Sequence, residues 1–256
     1  MRQNINDETT IISPWVKNLN SQSSFRLFCF PYVGGGASIF RTWQDVLPSD
    51  VAVCPVQLPG RENRLAESPF TRVSLLVRGM AHALRPFLNC PFAFFGHSMG
   101  ALISFELARQ LRRQKAPEPS YLFVSAQEAP QLPALSPSLH QLPEADFVEQ
   151  LRRINGTPEA ILQDTELMRV MLPMLRADFA MCETYMYQEE EPLTCPISVF
   201  GGQQDGEVSY DSLTAWRDQT SNVFTLRLLP GAHFFLKDSQ APLLQAISHD
   251  LMLSWT

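Results

Sequence analysis

The segment that most constrains this chain is Phe92-Ala93-Phe94-Phe95-Gly96-His97-Ser98-Met99-Gly100. Its apolar first half suits a strand buried on both faces, and apolar residues recur at helical spacing from Met99 to Gln114. A chain passes from strand to helix this abruptly only through a sharp bend. A Cβ on either side of the bend would clash, so glycines, Gly96 and Gly100, flank the serine. The bend exposes the Ser98 hydroxyl, and the following helix offers its amide-rich end to an oxyanion. Ser98 is therefore the expected nucleophile, carried on a strand that feeds a helix.

The rest of the chain repeats the alternation of short β-rich runs and longer helical patterns. Strands are expected at Arg26–Phe30, Val51–Gln57, Phe92–Gly96, Tyr121–Ala126, Ile197–Phe200 and Phe224–Leu229. Helices are expected at Val73–Phe87, Met99–Gln114, Tyr210–Asp218 and Gln240–Leu253. This order gives an α/β fold, a mostly parallel sheet flanked by helices. With 256 residues the chain reads as a single domain, 1–256. One stretch breaks the pattern: about 70 residues separate the fourth and fifth strands, several times a normal connection. It opens with Pro130, Pro133, Pro137 and Pro143 and then turns helical. Thr157-Pro158-Glu159 reads as an N-cap with proline at the first helical position, and a second helix runs from Thr165 towards Tyr187 with a kink at Pro173. Residues 130–191 are expected to form a helical lid over the carboxyl edge of the sheet, where ligands bind in such folds.

A hydroxyl becomes nucleophilic only when a base takes its proton, and the chain order Ser, acid, His of the α/β-hydrolase fold directs the search for that base towards the C-terminus. His233 lies in Leu229-Pro230-Gly231-Ala232-His233-Phe234, a loop directly after the last strand. His249 falls inside the last helix, His97 sits beside the nucleophile where it cannot easily turn back, and His82 and His140 precede the acid. The acid should follow a strand at the same edge. Asp205 does so through Gly201-Gly202-Gln203-Gln204; Glu207 nearby reads as solvated. Glu128, after the preceding strand, is the rival, but it runs straight into the proline-rich linker. The expected catalytic residues are Ser98, Asp205 and His233.

The other half of an oxyanion hole should come from the loop Pro31-Tyr32-Val33-Gly34-Gly35-Gly36 after the first strand. The backbone amides of Val33 and Met99 are the expected donors. The alternative for this loop is a plain structural turn; as a phosphate cradle it lacks both glycine-rich fingerprints. Five methionines fall in the insertion, Met168, Met171, Met174, Met181 and Met186. They read either as ordinary core or as an adaptable acyl channel.

Composition removes other classes. A net charge of −6 offers no basis for nucleic-acid binding, and the one basic cluster, Arg109, Arg112, Arg113 and Lys115, ends a helix where cations suit the dipole. Five scattered cysteines without C-x-x-C spacing argue against a disulfide framework and against a zinc site. Met1–Thr10 is polar and no run nears the roughly 18 apolar residues of a membrane span, so no membrane association is expected and a cytoplasmic location is the default expectation.

Several segments together resemble the type II, or editing, thioesterases that accompany nonribosomal peptide and polyketide synthases. They are Phe30-Pro31-Tyr32-Val33-Gly34-Gly35-Gly36, Leu58-Pro59-Gly60-Arg61-Glu62 with Arg64, and Gly96-His97-Ser98-Met99-Gly100. Further along come Leu175-Arg176-Ala177-Asp178, Pro192-Leu193 through Pro196-Ile197, Phe200-Gly201-Gly202 with Asp205, and Gly231-Ala232-His233-Phe234. Val33 stands where alanine is usual, which would narrow the oxyanion pocket slightly; Asp205-Gly206-Glu207 also departs from the commoner continuation. The resemblance implies a free-standing serine thioesterase that hydrolyses acyl groups from the phosphopantetheine arm of carrier proteins. Its partners would be transiently bound acyl or peptidyl carrier protein domains, and the enzyme would be a monomer. It would need no cofactor and no metal, since phosphopantetheine belongs to the substrate. The fatty-acid-releasing thioesterases are a closely similar subfamily. From the residues alone, Leu58–Arg64 has two readings, a Pro-Gly turn followed by a solvated Arg61-Glu62 pair, or a loop that orients the active-site edge. Two other functions would fit the same fold: a carboxylesterase or lipase acting on free oxygen esters, and an inactive binding module.

Overall fold

The computed structural model describes residues 13–16, 23–133 and 138–253. Met1–Thr10, read above for targeting signals, and Pro137 of the linker lie outside the described residues. Six parallel strands form one sheet: β1 (Phe25–Phe30), β2 (Val51–Pro55), β3 (Phe92–His97), β4 (Tyr121–Ser125), β5 (Ile197–Gly202) and β6 (Phe224–Leu229). Their order across the sheet is β2-β1-β3-β4-β5-β6, so the serine-bearing β3 and its neighbours β1 and β4 are central. All six expected strands are present. β2 stops at Pro55, short of Gln57: proline has no N–H for a ladder, and Val56 bridges antiparallel to Val16 instead.

Alternation along the strands divides the core into two layers, as a pleat requires. Phe28, Phe30, Phe92 and Phe94 enter one cluster with α1 (Val73–Leu84) and α2 (Met99–Arg113). Leu27, Cys29, Ala93 and Phe95 enter the other, built mainly from Phe40, Trp43 and the helices after β6. Helix α1 gives way to a 3-10 turn at Arg85–Phe87, since Pro86 has no N–H to continue the helical ladder. The arginines at the end of α2 do more than suit its dipole. Arg109, Arg112 and Arg113 all pair with Glu190, which fastens α2 to the segment returning from the insertion. The five cysteines are unpaired.

Among its described residues the insertion between β4 and β5 holds a 3-10 turn at Leu139–Gln141 and three α-helices: α3 (Glu144–Ile154), α4 (Glu159–Leu162) and α5 (Thr165–Glu183). Helix α3 lies in the stretch that turns helical after the proline-rich linker. It starts after Pro143 with Glu144 and Asp146 in its first turn, buries Phe147 and Leu151, and ends at Asn155 in the left-handed conformation. The N-cap of α4 is Pro158 rather than Thr157, and no side chain caps it. Asp164 caps α5, its carboxylate accepting from the Glu166 and Leu167 amides, and α5 continues through Pro173. Phe147, Leu151, Leu162, Met168, Leu172, Met174 and Leu175 form a separate small core for these helices. After β5 come α6 (Tyr210–Thr214), then β6, α7 (Phe235–Asp238) and α8 (Gln240–Leu253). Among the described residues no helix is long and apolar enough to cross a membrane.

Candidate active site

Ser98 sits between β3 and α2 at φ 51, ψ −122, a backbone region that side-chain-bearing residues rarely adopt. Neighbouring structure holds it there. The Ser98 amide donates to the Ser125 carbonyl at 2.7 Å, and the Ser98 carbonyl accepts from Ala101 N–H at 2.8 Å. The flanking glycines are required by contact. A Cβ on Gly96 would lie 2.2 Å from the Gly100 carbonyl oxygen, and one on Gly100 would lie 2.1 Å from that of Phe30.

His233 and Asp205 meet at the carboxyl edge of the sheet. His233 Nδ1 lies 3.0 Å from Asp205 Oδ2, while Asp205 Oδ1 accepts from the Glu207 and Val208 amides at 2.8 and 3.2 Å. Burial pushes the Asp205 carboxyl upward, but the His233 hydrogen bond and charge, with the two amides, outweigh it and leave the pKa below its ordinary value. The two loops are also stitched together directly. Gln204 N–H donates to the Gly231 carbonyl and Gly231 N–H to the Gln204 side chain, at 2.9 and 2.7 Å. Ser98 and His233 line one cavity of about 220 Å³, together with Tyr32, Val33, Leu175 and Phe179. Glu128 lines it too, its pKa raised by burial, yet the carboxylate bonded to His233 is Asp205. Glu207 is exposed, as its loop position suggested.

The remaining histidines fall elsewhere. His249 is two-thirds exposed beside Asp250, and His140 pairs with Glu183 of α5. His97 is fully buried with Nδ1 2.8 Å from Ser125 Oγ, and its ring packs edge-on against His233. Burial, reinforced by the neighbouring His233 charge, drives its pKa well below the ordinary imidazole value, so it stays neutral. The ring also packs against Tyr32, Phe234 and Phe235.

Val33 lines the serine's cavity, and Met99 opens α2 immediately after Ser98. What the sequence left open was how the Val33 loop is held. Leu58–Arg64 is not a solvated turn. Arg61 is 4% exposed and grips Asp178 of α5, itself fully buried, through two nitrogens at 2.7 and 2.9 Å. Gln57 Oε1 accepts from Ala37 N–H and Glu62 Oε1 from Ser38 N–H, both at 3.0 Å. The signal for these residues was the Leu-Pro-Gly-Arg-Glu and Arg-Ala-Asp pattern; their mutual contact, across 117 positions, had none. A second cavity of about 380 Å³ shares Tyr32, Val33, Gly156 and Thr157 with the first, and Met171 and Met174 line it. The methionines therefore divide. Met168 and Met181 are buried core, Met174 serves core and cavity, and Met186 is exposed.

With this geometry, comparison with known proteins is specific. The family model for the thioesterase domain matches residues 25–251. The gramicidin S biosynthesis protein GrsT of Aneurinibacillus migulanus is 50% identical over 236 residues, 92% of either chain. Among solved structures, RedJ, a thioesterase from the prodiginine biosynthetic pathway of Streptomyces coelicolor, is 40% identical with a TM-score of 0.83. That match covers 89% of this chain and 86% of RedJ. The type II thioesterase BorB from the borrelidin biosynthetic cluster is 31% identical with the same TM-score, over 94% of this chain and 97% of its own. The sheet order, the strand–serine–helix bend and these matches agree: the chain belongs to the thioesterase family, among relatives that include type II thioesterases of nonribosomal peptide and polyketide pathways.

Proposed function

We propose that this enzyme hydrolyses acyl groups from the phosphopantetheine arm of carrier proteins, with Ser98, His233 and Asp205 as its catalytic triad. The observation that carries the assignment is the His233–Asp205 hydrogen bond of 3.0 Å, with His233 and the serine of the bend lining one cavity. Ser98 Oγ attacks the thioester carbonyl carbon while His233 Nε2 takes its proton, and Asp205 holds the tautomer that leaves Nε2 free to do so. The Val33 and Met99 amides receive the oxyanion. When the tetrahedral adduct collapses, the C–S bond breaks and His233 returns the proton to the departing sulfur. A water molecule, deprotonated by His233, then attacks the acyl-serine; the C–O bond breaks, the proton returns to Ser98 Oγ and a carboxylic acid leaves. The chain itself supplies nucleophile, base and oxyanion donors, so the reaction draws on no bound cofactor or metal.

Residues 130–191 are read as the lid of this site, within a single domain spanning 1–256. Leu175 and Phe179 of α5 and Leu151 and Ile154 of α3 reach the serine's cavity. A thioester needs room on both sides of its carbonyl, for acyl group and arm, and the two adjoining cavities provide it. We further propose a monomeric, cytoplasmic enzyme whose carrier contacts are transient, without nucleic-acid or membrane partners. The test is a comparison of kcat/KM for one acyl group presented on a carrier protein, on free pantetheine and as a simple oxygen ester. The expected order is carrier, then pantetheine, then oxygen ester, with the carrier's advantage mainly in KM. Equal values on all three would favour a carboxylesterase.

A further inference from the structure

The buried pair Arg61–Asp178 joins two parts of the molecule that the mechanism treats separately, the oxyanion loop and an insertion helix. Asp178 Oδ2 accepts from Gly34 N–H at 2.9 Å, the residue immediately after Val33. Arg61 Nη1, besides its bond to Asp178, donates to the Gly35 carbonyl at 3.0 Å. Gly35 N–H closes the turn on the Tyr32 carbonyl at 2.9 Å. The Val33–Gly34 peptide is thus held by one carboxylate and the Gly35–Gly36 peptide by one guanidinium, both almost wholly buried. Gly34 has φ +76, and a Cβ there would lie 2.8 Å from Leu175 Cδ2, one turn before Asp178 on α5. The insertion helix is pressed against this loop, not merely suspended above it. Val33 itself packs against both the main core and the insertion's own core.

From this arrangement we infer that Asp178 and Arg61 are positioning residues of the oxyanion hole, so that the seating of α5 sets the aim of the Val33 amide. The inference rests on the assignment of Val33 as an oxyanion donor. A buried charge pair holds geometry at the cost of desolvation, and two charges fixed by four hydrogen bonds around one turn are suited to that task. Oxyanion donors act only if they are aimed before the charge develops, and a displacement of about 1 Å costs on the order of 10²-fold. Movement of α5 would therefore change the chemical step itself, in addition to access.

The experiment uses Asp178→Asn and the double variant Arg61→Met/Asp178→Leu, which removes both charges and leaves neither partner unpaired. Each is assayed with a free acyl-pantetheine thioester. Each is also titrated with an alkyl boronic acid, which forms a tetrahedral adduct on serine, and with a thioether in which a methylene replaces the carbonyl. The expected result, per folded enzyme, is a kcat lowered about 10- to 100-fold with KM nearly unchanged. Boronate affinity should fall by the same factor and thioether affinity should hold, because only the former uses the oxyanion donors. If both variants fail to fold, Arg61→Lys, which keeps the charge without the planar fork, should show the same split to a smaller degree. Wild-type kcat and boronate affinity in a folded variant, even one of lowered melting temperature, would overturn the inference. The Ser98→Ala protein separates the two levels: boronate binding unaffected by Ser98→Ala would sink the site assignment, whereas Ser98-dependent binding retained in the pair variants sinks only the positioning role.

Discussion

Asparagine at position 205 is nearly isosteric with aspartate, yet the structure makes it the wrong residue. Asp205 Oδ1 accepts two backbone N–H groups, from Glu207 and Val208, and Oδ2 faces His233 Nδ1. In Asp205→Asn the amide oxygen must stay with the two backbone donors, which turns the NH₂ towards Nδ1. His233 then accepts at Nδ1 and carries its proton on Nε2, where it cannot take one from Ser98. Flipping the amide restores the tautomer but leaves two donors facing an NH₂, at about 1–3 kcal/mol for each unmet group. A total of roughly 2–6 kcal/mol corresponds to about 30-fold to 3 × 10⁴-fold in rate. Loss of the carboxylate charge opposite the developing imidazolium adds to this, so about 10³- to 10⁴-fold is expected, in line with the serine-protease precedent of about 10⁴. The assay is kcat/KM on an acyl-carrier protein near neutral pH, with folding checked by circular dichroism. Glu128→Gln, measured in parallel, should stay within about threefold of wild type because Glu128 does not hold the histidine. A loss below about 30-fold in folded Asp205→Asn, or a larger loss from Glu128→Gln, would refute the reasoning.

Three further outcomes follow from particular contacts. Gly100→Ala should prevent soluble folding or lower the urea midpoint severely, since its Cβ would meet the Phe30 carbonyl at 2.1 Å, while Gly206→Ala, with nothing within 4 Å, should leave the midpoint unchanged. The Asp205 pKa lies below its unfolded value, so its contribution to stability is present above about pH 4 and lost as pH falls through the native pKa. The melting-temperature gap between wild type and Asp205→Asn should therefore narrow from pH 7 to pH 3, and a widening gap would contradict this. Leu167 and Val170 on α5 are each 48% exposed; changing either to aspartate should raise KM for the acyl-carrier protein and leave a small free thioester unaffected, and an equal effect on both substrates would remove α5 from the docking face.

The parts of this protein legible in its sequence are those set by local rules. Strands buried on both faces read as apolar runs, and the bend at Ser98 reads from its glycines, because strand, turn and helix lie within one short segment. Chain order led from Ser98 to His233 and Asp205 because each follows a strand whose carboxyl end lies at the same edge. Local rules failed where long-range pairing decides. Arg61 beside Glu62 reads as a solvated ion pair, yet Arg61 is buried on Asp178 and Glu62 binds the Ser38 amide. The terminal arginines of α2 read as dipole partners, yet they anchor Glu190. At Thr157-Pro158 the cap pattern was present, but the chain enters α4 one residue later, with proline itself in the capping position. His97, set aside as a base by its place on the bend, is buried and neutral, and its partner, Ser125, lies on the neighbouring strand.

The most direct test of the account follows the carrier protein itself. A carrier loaded with an acyl-phosphopantetheine is incubated with wild-type enzyme or with Ser98→Ala, and its intact mass is followed over time. Wild type should shift the carrier from the acylated to the free-thiol mass, and Ser98→Ala, folded to the same degree, should leave it acylated with a rate lowered by several orders of magnitude. Discharge by Ser98→Ala at the wild-type rate would contradict the nucleophile assignment, and failure of the wild type to discharge the carrier while it cleaves a free oxygen ester of the same acyl group would contradict the thioesterase function.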